Sequence, residues 1–150
     1  MLVVSERTEG HGEMHDEHSI TSGTVFEGIS RKAQKRLEAL SAPVQMVEGY
    51  QLTRQGRRGD EFGVILDGEV DVVVDDEVVS SIGPGDHYGE VALLADRGTS
   101  VGQRSATLVA RTTVTASVMS IKEFEAAMRE FPELAERLES SRARALNITV

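Results

Sequence analysis

Two side chains in this 150-residue sequence are placed to grip something small that carries both hydroxyl groups and negative charge. Glu90 stands in the run Gly89-Glu90-Val91-Ala92-Leu93-Leu94, and Arg104 opens Arg104-Ser105-Ala106-Thr107 after a polar, glycine-containing loop. A guanidinium fork holds a phosphate with two parallel charge-assisted bonds, whereas an ionised carboxylate only accepts and so suits sugar hydroxyls. One cation and one anion on either side of a short apolar turn therefore divide the work between phosphate and sugar. Ser105 and the backbone N–H groups around Ala92 and Ala106 can add donors, since the first turn of a helix offers unpaired N–H groups and a positive dipole end. Gly89 lets the backbone approach a ligand closely.

The elements that must position this stretch are legible as a change of period. Residues 1–24 are polar, hold His11, His15 and His18, and show no apolar repeat, which reads as a flexible tail. The histidine spacing suits one helical face, but nothing in the segment would hold a helix, so no metal site is assigned. From Val25 the domain proper begins and is expected to run over residues 25–150. Phe26 and Ile29 lead to Ser30, a helix cap, and Ala33, Leu37 and Leu40 follow at helical spacing. From Pro43 to about Ile121 the period drops to two, with turn residues at short intervals, so the centre is an all-β core. Strands are expected around Val44 and Met46, Tyr50 and Leu52, Phe62 to Leu66, Val70 to Val74, and Val78 to Ile82. Two more follow the loop, at Ala106 to Ala110 and Val114 to Val118. Asp75-Asp76-Glu77 and Gly83-Pro84-Gly85-Asp86 make turns, and Arg58-Gly59-Asp60 reads as a tight turn. Alternation puts Asp71 and Asp75 on a solvated strand face, not in a calcium loop. Ser120-Ile121-Lys122-Glu123 is a capping-box signature for a helix carrying Phe124, Ala127, Met128 and Phe131. Pro132 then opens a further helix bearing Leu134, Leu138 and Leu146.

Composition narrows the function. The length suits one domain with a sizeable core. With 25 acidic against 16 basic residues the formal net charge is −9, which opposes the phosphate attraction that nucleic-acid binders rely on. No direct nucleic-acid partner is expected. Cysteine is absent, so disulfides and thiolate metal sites are excluded and a reducing compartment is permitted. Leu2-Val3-Val4 is too short for a signal peptide and no later run would span a bilayer, which points to a soluble cytoplasmic protein without a membrane partner.

Tyr88-Gly89-Glu90-Val91-Ala92-Leu93-Leu94 followed by Arg104-Ser105-Ala106-Thr107 resembles both halves of the phosphate-binding cassette of the cyclic nucleotide-binding domain family. This is the family of sensor domains found in cAMP receptor protein and protein kinase A regulatory subunits. Gly49, Gly56, Gly59-Asp60 and Leu66-Asp67-Gly68-Glu69-Val70 also fall where that family places its turn glycines, and the likeness covers roughly residues 25–147. The resemblance implies a mainly β fold with flanking α-helices: an eight-stranded, jelly-roll-like β-roll (a double-stranded β-helix) with a short N-terminal helix and C-terminal helices. It implies that Glu90 accepts from the ribose 2′-hydroxyl and that Arg104 pairs with the cyclic phosphate. The ligand-binding set is then Gly89, Glu90, Val91, Ala92, Arg104, Ser105 and Ala106. Ser105, in the place of a threonine, resembles members that prefer cAMP, with cGMP as the other ligand. Two departures stand out. Gln103 occupies a position where the family often has proline, and residues 95–102 make the span from Glu90 to Arg104 a few residues longer than usual, an insertion that costs little free energy.

On this reading the chain is not an enzyme, has no catalytic residue, metal or resident cofactor, and signals ligand occupancy through its C-terminal helices to a protein effector. Leu138, Arg142 and Leu146 are expected to form a lid over the base or a homodimer seam. The family's transcription factors continue into a helix-turn-helix, which this sequence lacks, so a stand-alone sensor or an excised regulatory domain is expected. A degenerate domain that binds only protein is the alternative to which the longer loop points. A cupin-type metalloenzyme would need clustered imidazoles, and His87 is the one histidine outside the tail, read as a surface or turn residue.

Overall fold

A computed structural model describes residues 19–56, 60–89 and 106–140. Among these residues the eight strands form two antiparallel four-stranded sheets flanked by helices, the β-roll expected from the sequence. Helix α1 (Arg31–Leu40) starts where Ser30 caps it, its hydroxyl oxygen accepting from the Ala33 N–H at 3.2 Å. It buries Ala33 and Leu37, with Leu40 packed partly against the same core, while Arg31, Lys32, Lys35, Arg36 and Glu38 supply its charge.

The first sheet has the order β1 (Ala42–Met46), β8 (Val114–Ser120), β3 (Glu61–Asp67), β6 (His87–Tyr88). The second has the order β2 (Gln51–Thr53), β7 (Thr107–Ala110), β4 (Val70–Val74), β5 (Glu77–Ile82). Among the described residues β1 is an edge strand of this sheet, a position where proline is tolerated, and Pro43 lies on it. Asp75 and Asp76, at φ 51° and 70°, turn β4 into β5, and two consecutive left-handed residues match the twist of a hairpin. Asp75 thus sits in the turn and not on a strand face. Asp71 does lie on the strand, where its Oδ1 accepts from Arg111 Nε and Nη2 at 2.9 and 2.6 Å. That hydrogen bond and the neighbouring charge raise the guanidinium above its ordinary value.

The first sheet separates two apolar cores. Phe62 and Val64 of β3 and Met119 of β8 face the helices, with Phe26, Leu37, Phe124, Leu134 and Leu138. Ile65, Val114 and Ala116 face the inside of the roll, with Met46, Val70, Tyr88, Leu108 and Ala110. Alternation along β3 sends neighbouring Val64 and Ile65 to different cores, so the strand is buried on both faces. On the helix side Phe62 stacks on Phe124 with centroids 4.4 Å apart, and Phe26 meets Phe124 edge-on at 6.1 Å. Helix α2 (Ile121–Glu130) follows β8 without a loop. Ser120 and Glu123 form both bonds of the capping box, which lets the chain turn from strand to helix in one residue. Residues 133–140 form a third helix, α3, which contributes fully buried Leu134 and Leu138.

The packed unit reaches further towards the N-terminus than the expected boundary at Val25. Ser19 accepts from the Thr21 N–H at 3.2 Å and caps a single 3₁₀ turn, Ile20–Ser22, followed by another, Thr24–Phe26. These turns drive Ile20 into the helix-side core, where it is fully buried. A lone isoleucine has no period, so nothing in the local pattern marks Ile20 as core. The three tail histidines and most of Arg58-Gly59-Asp60 lie outside the described residues.

Two outcomes follow for stability. Phe124→Ala empties the centre of the aromatic cluster and is expected to cost about 3–5 kcal/mol, read as a lower midpoint in urea unfolding. A Cβ on Gly63 would lie 2.6 Å from three atoms of the Tyr88 side chain, so Gly63→Ala must displace that ring from β6. About 1–3 kcal/mol of destabilisation is expected, with partial recovery in the Gly63→Ala, Tyr88→Leu double variant; strictly additive losses would contradict it.

Candidate functional site

The stretch singled out in the sequence leaves one sheet and enters the other, and both ends are described. Upstream, Asp86 closes the turn on Gly83: its carboxylate accepts from the Gly83 N–H at 2.8 Å and its own N–H donates to the Gly83 carbonyl at 3.0 Å. The turn is tied to β3 by Gly85 N–H to the Ile65 carbonyl and Ile65 N–H to the Asp86 carbonyl, both 2.8 Å. Thr24 N–H donates to the Gly85 carbonyl at 3.0 Å, fixing the turn to the N-terminal segment as well. β6 then pairs His87 with Val64 and Tyr88 with Gly63. The absent side chain of Gly63 leaves the space in which the Tyr88 ring lies. Gly89 comes next, buried and at φ 104°, a backbone state that any Cβ would strain.

Downstream, Ala106 is half-buried and its carbonyl accepts from Thr53 Oγ1 at 2.9 Å. Thr107 Oγ1 accepts from the Gln55 N–H, also at 2.9 Å. β7 then runs between β2 and β4, and backbone bonds between Gly49 or Tyr50 and Ala110 secure its far end.

Of the residues assigned from sequence, Gly89 and Ala106 are therefore placed at the two ends of the stretch. Glu90, Val91, Ala92, Arg104 and Ser105 lie outside the described residues, as do Arg142 and Leu146. Leu138 is fully buried in the helix-side core, packed beneath α1 and α2 and not at a surface. His87 is half-buried on β6 with its ring 5.8 Å from that of Phe62, so it is a strand residue against the core and not a turn residue. Among the described residues no three metal-ligating side chains come together. The supporting residues Thr53, Gln55, Gly63 and Tyr88 were not assigned from sequence. Gly63 carried a signal as a glycine inside a β-branched and aromatic run, and Tyr88 stood at the head of the quoted motif, whereas Thr53 and Gln55 carried none.

The comparisons agree with this architecture. The family model described as Cyclic nucleotide-binding domain matches residues 43–131, more than half of the chain. An uncharacterised protein of Mycobacterium tuberculosis, found in two strains, is 36% identical over 100 residues, covering 63% of this chain and 20% of that protein. The chain thus spans about a fifth of the length of the curated relatives it matches. Among solved structures, the catabolite activator protein of Thermus thermophilus aligns with a TM-score of 0.72 at 22% identity, over 83% of this chain and 59% of that one. The N-terminal domain of a transcriptional regulator from Streptomyces coelicolor A3(2) aligns at 0.62 and 25% identity, over 83% and 87%. Cyclic-AMP-bound PfPKA-R aligns at 0.70 and 20% identity, over 89% and 45%. The eight-stranded roll with its flanking helices and the match over residues 43–131 together show that the chain belongs to the cyclic nucleotide-binding domain family.

Proposed function

We propose that this domain binds a 3′,5′-cyclic nucleotide reversibly, with cAMP favoured over cGMP, and passes its occupancy to a protein effector. The observation that carries the reading is that both halves of the cassette, Gly89-Glu90 and Arg104-Ser105-Ala106, fall inside the stretch matched by the family model. In this reading Glu90 accepts from the ribose 2′-hydroxyl and Arg104 pairs with the cyclic phosphate. Ser105 and the N–H groups near Ala92 and Ala106 complete the cradle, and Gly89 admits the sugar close to the backbone. A bound phosphate and an ionised guanidinium need no proton transfer, so the site is built for holding and not for turnover.

Signalling is proposed to run through the helices from Ser120 onward, whose packing the ligand would bias by binding one arrangement more tightly. Leu138 is core in the arrangement seen, so a lid that includes Leu138 would require α3 to leave its present packing. Among the described residues no helix is long and apolar enough to cross a membrane. A cytoplasmic sensor, as a monomer or a homodimer, is the setting proposed.

Calorimetric titration with cAMP and cGMP tests the reading. Each charge-assisted bond contributes about 1.5–3 kcal/mol, so Arg104→Ala is expected to weaken cAMP binding by about one to two decades, with a smaller loss for Glu90→Ala. Saturable binding that survives both substitutions would remove the site assignment. No binding at millimolar nucleotide would favour the second reading, a protein-interaction module, for which the longer span of residues 95–102 is the motive.

A further inference from the structure

We infer that Thr53, with Gln55 behind it, is a positioning residue that sets the downstream end of the nucleotide site, an inference that rests on the cyclic-nucleotide reading of that site. The pairing of β2 with β7 runs from Gln51 opposite Val109 to Thr53 opposite Leu108, so Leu52 is an extra residue and the regular ladder breaks there. Beyond the bulge, contacts that involve side chains replace ladder bonds. Thr53 Oγ1 donates to the Ala106 carbonyl, and the Gln55 N–H donates to Thr107 Oγ1, each at 2.9 Å. Thr53 is only 8% exposed, so its hydroxyl is largely withdrawn from water and the bond it makes is partly shielded.

Gln55 is itself held. Its Oε1 accepts from the Asp75 N–H at 2.9 Å and its Nε2 donates to Asp75 Oδ1 at 3.0 Å. Asp75 is a left-handed residue of the β4–β5 turn. The end of β2 thus ties the exit of the cassette to the rigid β4–β5 turn. Capturing the Ala106 carbonyl restricts rotation of the residue whose N–H is assigned to the phosphate, one position after Ser105. Pre-set donors bind more tightly than donors that must be ordered by the ligand.

The test compares Thr53→Val, which keeps shape and removes the hydroxyl, with Thr53→Ser, which keeps the hydroxyl. Thr112→Val serves as the control, because it deletes a similar bond, from the Glu69 N–H at 3.1 Å, at the far end of β7. Binding of cAMP is followed by calorimetry, and amide hydrogen exchange over residues 106 and 107 is followed without nucleotide. Thr53→Val is expected to weaken cAMP about 5–10-fold and to speed that exchange, with Thr53→Ser within about twofold of the parent and Thr112→Val unchanged in affinity. Thr107→Val removes the second bond independently and is expected to act in the same direction. Unchanged cAMP affinity in both Thr53→Val and Thr107→Val overturns the inference. If the parent chain binds neither cAMP nor cGMP, the proposed function falls, and exchange alone decides on Thr53: faster in the valine but not the serine variant upholds its positioning role, equal rates refute it.

Discussion

The double burial of the strand pair β3 and β8 is the constraint on which the rest of this domain depends. These strands share a long antiparallel ladder, from Glu61 opposite Ser120 to Asp67 opposite Thr115, and side chains leave them in both directions into apolar cores. A slip of one residue would exchange the two sets, driving Phe62 and Val64 into the roll and Ile65 towards the helices. Because the two cores differ in size and in aromatic content, with Phe26, Phe62 and Phe124 all on the helix side, neither could accept the other's side chains. Register is thereby fixed, and with it the height at which β6 joins the edge of β3.

That height decides where Gly89 follows β6 out of the sheet. Gly63 and Tyr88 meet directly across the β3–β6 pair, and the turn before β6 is bonded to Ile65, which belongs to the opposite core from its neighbour Val64. The position of Gly89 is in this way traceable to packing between β3, β8 and the helices. The other end of the cassette is held by different means. β2 is short and broken by a bulge; its Thr53 bonds the Ala106 carbonyl through the side chain, and the N–H of Gln55, just past its end, bonds Thr107 Oγ1. One end is thus set by core packing and the other by a few hydrogen bonds.

The same sheet couples the roll to the helices. Met119, Ser120 and the capping box carry β8 straight into α2, and Phe124 of that helix rests on Phe62 of β3. The roll and the helices are thus joined by a strand-to-helix junction with no intervening loop. α1 closes the arrangement from the other side: Ser30 donates to Glu133 at 3.0 Å and Arg36 pairs with Glu130 at 3.2 Å, across the junction between α2 and α3. Both contacts are exposed, so the apolar stripe of Ala33 and Leu37 does most of the holding.

Local chemistry alone determined the elements with strong period or caps. Ser30 and Ser120 started helices as read, the alternating valines of β4 formed a strand, and the acidic and glycine-rich turns fell where turn residues stood. The motifs Gly89-Glu90 and Arg104-Ser105-Ala106-Thr107 stood out through their resemblance to a family pattern, and Glu90, Val91, Ala92, Arg104 and Ser105 themselves lie outside the described residues. Tertiary structure decided what local pattern has no means to encode. Ile20 joined the core because Val64, Phe26 and Leu37 offered it a cavity, although no neighbour in sequence repeats its polarity. Leu138 became core for the same reason, being surrounded on the helix side. His87 turned from a surface residue into a strand partner of Val64 because β3 had an edge to fill. The Thr53 hydroxyl reaches the Ala106 carbonyl because β2 pairs with β7, which brings together residues 53 positions apart in the chain. Burial and register are properties of pairs far apart in the chain, and only the folded molecule brings those pairs together.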